Sequence, residues 1–104
     1  MDLVDDMTIT LTGAGRARLT VRGEVDGTNA VRLRQAIVDA GLDGAGEVEV
    51  DLAEVTFMDS TGLRALADAS KELGPVELVL CRVPRQVARI LEITSICRGL
   101  RCVQ

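Results

Sequence analysis

Apolar and polar residues alternate from Met7 to Thr12, with Met7, Ile9 and Leu11 set against Thr8, Thr10 and Thr12. After Gly13-Ala14-Gly15 the alternation resumes, with Ala17, Leu19 and Val21 against Arg18, Thr20 and Arg22. Two such runs about a glycine-rich turn predict a β-hairpin with one wet face. Asp26-Gly27-Thr28-Asn29 then supplies turn and cap side chains before Ala30, Leu33, Ile37 and Ala40, whose 3-4-3 spacing predicts a helix ending near Gly41 or Gly44. Val48, Val50 and Leu52 alternate with Glu47, Glu49 and Asp51, which predicts a third strand that buries one face and shows acid on the other. A short connection, Ala53 to Met58, leads to Asp59-Ser60-Thr61, three consecutive capping-type residues. Leu63, Leu66, Ala67 and Leu73 mark the buried stripe of a second helix closed by Gly74-Pro75. Val76 to Cys81 reads as a further strand, and Pro84 opens a third helix with Val87, Ile90 and Leu91 inward.

The order is therefore ββαβαβα, with room for a small last element at Leu100 to Val103. Strands separated by single helices need crossover connections, while the opening hairpin is antiparallel, so the sheet is expected to be mixed. Because the first three strands keep alternating with polar residues, the helices should lie mainly on one face. The expected fold is a two-layer α/β sandwich. A chain of 104 residues without repeat, linker or low-complexity tract reads as one domain, residues 1–104, and the second methionine at position 7 leaves Met1 to Asp6 as a candidate loose leader.

Composition removes several classes of function. Phe57 is the only aromatic residue, so platforms that stack on nucleic-acid bases are missing, and there is no histidine for a Ser-His-Asp or Cys-His triad or an imidazole metal site. The net charge of −4 argues against direct nucleic-acid binding. The charge is uneven: 5 basic and 12 acidic residues run through Asp59, 7 and 4 from Ser60 onward. Arg82, Arg85, Arg89, Arg98 and Arg101 can form a basic patch or simply a solvated face. Cys81, Cys97 and Cys102 form no CxxC pair and cannot all be bridged within one chain, which fits a reducing, cytoplasmic setting. The acidic start does not resemble a signal peptide, and no apolar run approaches the ~20 residues needed to cross a bilayer.

Core and surface account for most of the chain, but Val55 to Leu63 carries more polar and permissive residues than a strand-to-helix connection requires. The run Phe57-Met58-Asp59-Ser60-Thr61-Gly62-Leu63 resembles the phosphorylation-site signature of the STAS-domain family of anti-sigma factor antagonists. Gly23-Glu24-Val25-Asp26 resembles the family's second landmark, and the resemblance extends from Met7 to the end of the third helix. It implies a binding module: a protein that, when unphosphorylated, sequesters an anti-sigma factor and so frees a sigma factor. The anti-sigma factor, acting as a serine kinase, switches it off, and a serine phosphatase restores it. Ser60 matches the phosphoacceptor. Asp26, whose loop lies near the acceptor helix in the family, is implied to contact the partner or orient the kinase's reacting groups. A family threonine three residues after this aspartate is replaced here by Asn29.

The residues themselves are consistent with that role. With Asp59 as N-cap, Ser60 takes the first helical position with its hydroxyl outward, and the free amides and dipole of the helix start would partly welcome a phosphate there. Thr61 is the competing acceptor, but at the second position its hydroxyl can turn toward the loop. The expected partner-binding set is Asp26, Met58, Asp59, Ser60, Thr61 and Gly62. The plainer readings stand beside it. Asp26, Thr28 or Asn29 can cap the first helix, Met58 and Phe57 can be core, and Gly62 can admit a neighbouring backbone or a partner. One rival keeps the fold but makes the domain an unphosphorylated adaptor of a lipid-transporting ABC system or a scaffold. An enzyme is disfavoured, because a serine nucleophile lacks a base, Lys71 lies far along the second helix, and capping and a solvated strand face account for Asp26, Asp51 and Asp59 without Mg²⁺. No cofactor or metal is expected.

Overall fold

A computed structural model describes residues 7–12, 17–42, 46–94 and 101–103, with main chain only at 11–12, 91–94 and 101–103. Among the described residues five strands, β1 (Met7–Thr12), β2 (Ala17–Val25), β3 (Glu47–Met58), β4 (Glu77–Cys81) and β5 (Arg101–Val103), form one sheet in the order β1-β2-β3-β4-β5. The β1/β2 pair is antiparallel and the other pairs are parallel, so the sheet is mixed as expected. The helices α1 (Ala30–Gly41), α2 (Ser60–Leu73) and α3 (Arg85–Thr94) connect neighbouring parallel strands. Right-handed crossovers that repeatedly step one strand in the same direction keep such helices on one face. The final element is a strand on the edge of β4. Met1 to Asp6, the hairpin turn, Gly44 and Cys97 lie outside the described residues.

The predicted stripes form the core. Leu33, Ile37 and Ala40 of α1 and Leu63, Leu66, Ala69 and Leu73 of α2 pack on Leu19, Val21, Val48, Val50, Leu52, Leu78 and Leu80 of the sheet. Ala67, expected inward, is only half-buried, whereas Ala65 and Ala69 are buried. Val87 anchors α3 to the same core, with Ile90 partly buried against it. The helix begins one residue after Pro84, whose carbonyl accepts the Ala88 amide at 2.9 Å.

Two expectations about β3 fail, for related reasons. Ala53 to Met58 is no connection: the strand runs unbroken to Met58. Its buried positions Leu52, Val55 and Met58 fall every third residue, which period-two reasoning rejects. Two irregularities make that spacing possible. Between the pairs Thr20↔Asp51 and Arg22↔Glu54, and again between Gly23↔Val55 and Glu24↔Phe57, β3 spends one more residue than β2. Each is a β-bulge that re-aims the following side chains, and Gly23, at φ 100°, supplies a backbone conformation that a Cβ would penalise.

Asp51 is the second correction. Expected on a solvated acidic face, it is 1% exposed. Its Oδ1 accepts the Ala53 amide at 3.0 Å, in the bulge where the ladder slips, and its Oδ2 accepts from Arg18 Nη2 and Arg82 Nε, both at 3.1 Å, and from Arg82 Nη2. Burial pushes its carboxyl up, but the Arg82 hydrogen bonds, the Ala53 amide and Arg18 outweigh that and hold it below its ordinary 3.8. Arg82, the one non-glycine described with positive φ (50°), adopts a left-handed conformation that costs about 1–2 kcal/mol, and its paired guanidinium helps to hold it there.

Candidate functional site

The parallel strands β2 and β3 end side by side, Val25 paired with Met58, and this pairing builds the site. The Asp59 amide donates to the Val25 carbonyl at 3.3 Å, joining the loop after β3 to the end of β2. In open α/β sheets the carboxyl ends of parallel strands are the usual place for binding. Here both strands pass into Asp-x-Thr turns, Asp26-Gly27-Thr28 and Asp59-Ser60-Thr61, whose closeness shows in the 3.8 Å between Thr61 Oγ1 and the point where a Cβ on Gly27 would lie.

Asp59 is the N-cap of α2. Its Oδ1 accepts from the amides of Thr61 at 3.0 Å and Gly62 at 3.1 Å, and from the Thr61 hydroxyl at 2.5 Å. Ser60 therefore occupies the first helical position, exposed, and among the described residues nothing hydrogen-bonds its hydroxyl. Thr61 is exposed too, but its hydroxyl is committed to Asp59. Two of the amides expected to be open to an anion, those of Thr61 and Gly62, are occupied by the same carboxylate, so the helix start is less welcoming to a phosphate than expected.

The Asp26 loop is built differently. Asp26 Oδ1 accepts from the amide and the hydroxyl of Thr28 at 2.9 and 2.6 Å, and these bonds, the hydroxyl's first, hold the Asp26 carboxyl below its ordinary value. None of the three candidate side chains caps α1. Asn29 stands at the N-cap position without a cap bond, because its amide is turned back: Oδ1 accepts from the Asp26 amide at 3.0 Å and Nδ2 donates to the Glu24 carbonyl at 2.9 Å. Asn29 is 7% exposed, and these bonds keep it satisfied while they lock the end of β2.

Two members of the expected contact set lie beneath the surface. Met58 is 3% exposed and belongs to the core, because the second bulge turns it inward and leaves its neighbour Phe57 outside at 49%. Gly62 is buried as well. A Cβ there would come within 2.7 Å of Met58 Cγ and 2.9 Å of Val25 Cγ1, so the glycine makes room for two side chains of its own core. The surface that remains combines Asp26, the rim of Asp59, Ser60, Thr61 and the exposed Phe57. Sequence reasoning passed over the repeated Asp-x-Thr tripeptide and the continuation of β3 past Leu52; the legible signal for the latter was the period-three run Leu52, Val55, Met58.

Among the described residues no Cys, Asp or Glu cluster is grouped to hold a metal ion, and no helix is long and apolar enough to cross a membrane. Cys81 is a half-buried free thiol whose pKa is raised, first by burial and then by Glu49.

A five-stranded mixed sheet with an outward serine at the start of its second helix defines a class, and comparison with known proteins identifies it. Residues 9–103 match the model of the STAS domain. The anti-sigma-F factor antagonist RsfB of Mycobacterium tuberculosis is 35% identical over 75 residues, 71% of this chain and 62% of RsfB, so the match spans less than two thirds of that relative. The anti-sigma-B factor antagonist of Listeria monocytogenes is 35% identical over 78 residues, 73% of this chain and 68% of that protein. In structure, an anti-sigma factor antagonist from Mycobacterium paratuberculosis superposes with a TM-score of 0.82 at 25% identity, over 93% of this chain and 85% of that one. The chain belongs to the STAS-domain family of anti-sigma factor antagonists.

Proposed function

We propose that this domain is an anti-sigma factor antagonist working as a phosphorylation switch. Unphosphorylated, it binds a cytoplasmic anti-sigma factor with serine kinase activity through Asp26, Ser60, Thr61 and the exposed Phe57, and thereby frees a sigma factor. The kinase transfers the γ-phosphoryl group of ATP to Ser60 Oγ, releasing ADP and the hydroxyl proton, and a serine phosphatase reverses the step by hydrolysis.

The observation that carries this reading is the presentation of Ser60: an unengaged hydroxyl at a helix start clamped by Asp59, beside a second, rigid aspartate loop. Thr61 would have to break its bond to Asp59 to compete. A phosphate adds a charge of about −1.5 to −2 at neutral pH. Asp59 already holds the Thr61 and Gly62 amides, so at a docked interface most of that charge loses hydration, and a cost of a few kcal/mol lowers affinity about 100-fold or more.

The test is a pull-down from the native host with wild type, Ser60→Ala and Ser60→Asp, followed by mass spectrometry and circular dichroism of each bait. Capture of a serine-kinase anti-sigma factor by the first two and its loss in a folded Ser60→Asp protein is the expected result. A permease or scaffold held equally by all three would replace the switch with a constitutive adaptor.

A further inference from the structure

The first turn of α2 has few donors to offer a phosphate. Apart from the Ser60 amide, Thr61 N, Gly62 N and Thr61 Oγ1 all point at Asp59 Oδ1, and an anion on Ser60 would have to displace that carboxylate to use them. Left in place, Asp59 repels the new charge, and Asp26 on the adjacent loop adds to the repulsion. The anion therefore needs a cation, and α2 carries two, Arg64 and Lys71. Lys71 sits in the last turn. Arg64 is four residues from Ser60, and residues so spaced share a helix face with Cβ atoms about 6 Å apart. Helical side chains also tend to lean toward the N-terminus, which puts Ser60 within reach of Arg64. Its side chain is 75% exposed and only loosely engaged, with Nε 3.8 Å from Asp68 Oδ1. Such exposed pairs are weak, and a phosphate dianion offers more charge and a better match to the guanidinium fork than one distant carboxylate oxygen.

We infer that Arg64 is the binding partner of phosphorylated Ser60: the guanidinium leaves Asp68, grips the phosphate along the helix face, and leaves the Asp59 cap intact. This rests on the reading of Ser60 as phosphoacceptor. The phosphoprotein then keeps its fold, presents a partly neutralised phosphate locked against α2, and uncovers Asp68 one turn further along.

The test uses the 104-residue chain with phosphoserine placed at position 60 during synthesis, so that no kinase is needed. The second ionisation of the phosphate is followed by phosphorus NMR in wild type, Arg64→Gln, Arg64→Lys and Asp68→Asn, with circular dichroism to confirm folding of each. The acid dissociation constant should be about threefold larger in wild type than in Arg64→Gln, with Arg64→Lys between them. Asp68→Asn, which removes the competitor, should match or exceed wild type. Raising ionic strength to about 1 M should shrink the difference. Coincident titrations of wild type and Arg64→Gln would overturn the inference. So would amide spectra in which phosphorylation moves Thr61 and Gly62 while the Arg64 Nε signal stays put, since the helix amides would then be the ligand. A failed pull-down would leave this result standing, and coincident titrations would leave the Ser60 switch standing.

Discussion

The loops that close β2 and β3 start from the same tripeptide pattern, Asp-x-Thr, and make the same first turn: the aspartate takes the amide and the hydroxyl of the threonine two residues on. They part company at the next residue. After Asp59 comes Gly62, whose amide joins the same carboxylate and starts a helix at once. After Asp26 comes Asn29, whose side chain reaches back to Asp26 and Glu24, so α1 starts only at Ala30, on backbone bonds from Asn29 and Ala30 to the Asp26 carbonyl. Both third residues are buried, one filling its space with hydrogen bonds, the other leaving it for Met58 and Val25. The contrast shows how one local turn becomes either a cap or a tether. Only the cap carries a hydroxyl in its middle position, Ser60 where the tether has Gly27.

The largest expected effect on stability is at the tether. Asn29→Ala leaves the Glu24 carbonyl and the Asp26 amide without partners, at a cost of about 2 kcal/mol. In a domain of this size that lowers the melting temperature by about 10 °C, and an unchanged melting curve would show that the tether holds nothing. Gly62→Ala forces a methyl group against Met58 and Val25 and should cost about 1–2 kcal/mol after the gain in helix propensity, read by urea denaturation. Stabilisation by this substitution would mean that the space is not needed.

Asp59→Ala removes a true cap and should cost about 1 kcal/mol, with Asp26→Ala costing less, since no helix start depends on that side chain. Equal losses would erase the distinction between cap and tether. The smallest effect belongs to acid. The Asp26 carboxyl is held below its ordinary 3.8, so its turn is fully made above that pH and is lost only as pH falls through the lower folded value. An NMR titration of the Thr28 amide should show a midpoint below 3.8, and a midpoint at or above it would contradict the bonds to Thr28.

Most elements were legible because they rest on short-range patterns. The alternation of β1 and β2, the 3-4-3 stripe of α1 and the Asp59 cap each involve residues within a few positions of one another. Where reading failed, distant partners decide. Asp51 looked like one more acid on a wet strand, yet it is buried because Arg18 and Arg82, 33 and 31 residues away, converge on it. Met58 and Phe57 were indistinguishable as an apolar pair until the second bulge turned one in and the other out.

By itself the sequence determined the order of elements, the mixed sheet and the outward serine at the start of α2, because strand alternation and helix capping are set by neighbours in the chain. The tertiary structure alone decided the register of β3 against β2 and the burial of Asp51 and Gly62. Those depend on which strand lies alongside which, and a bulge that adds one residue to one strand reassigns every side chain that follows it.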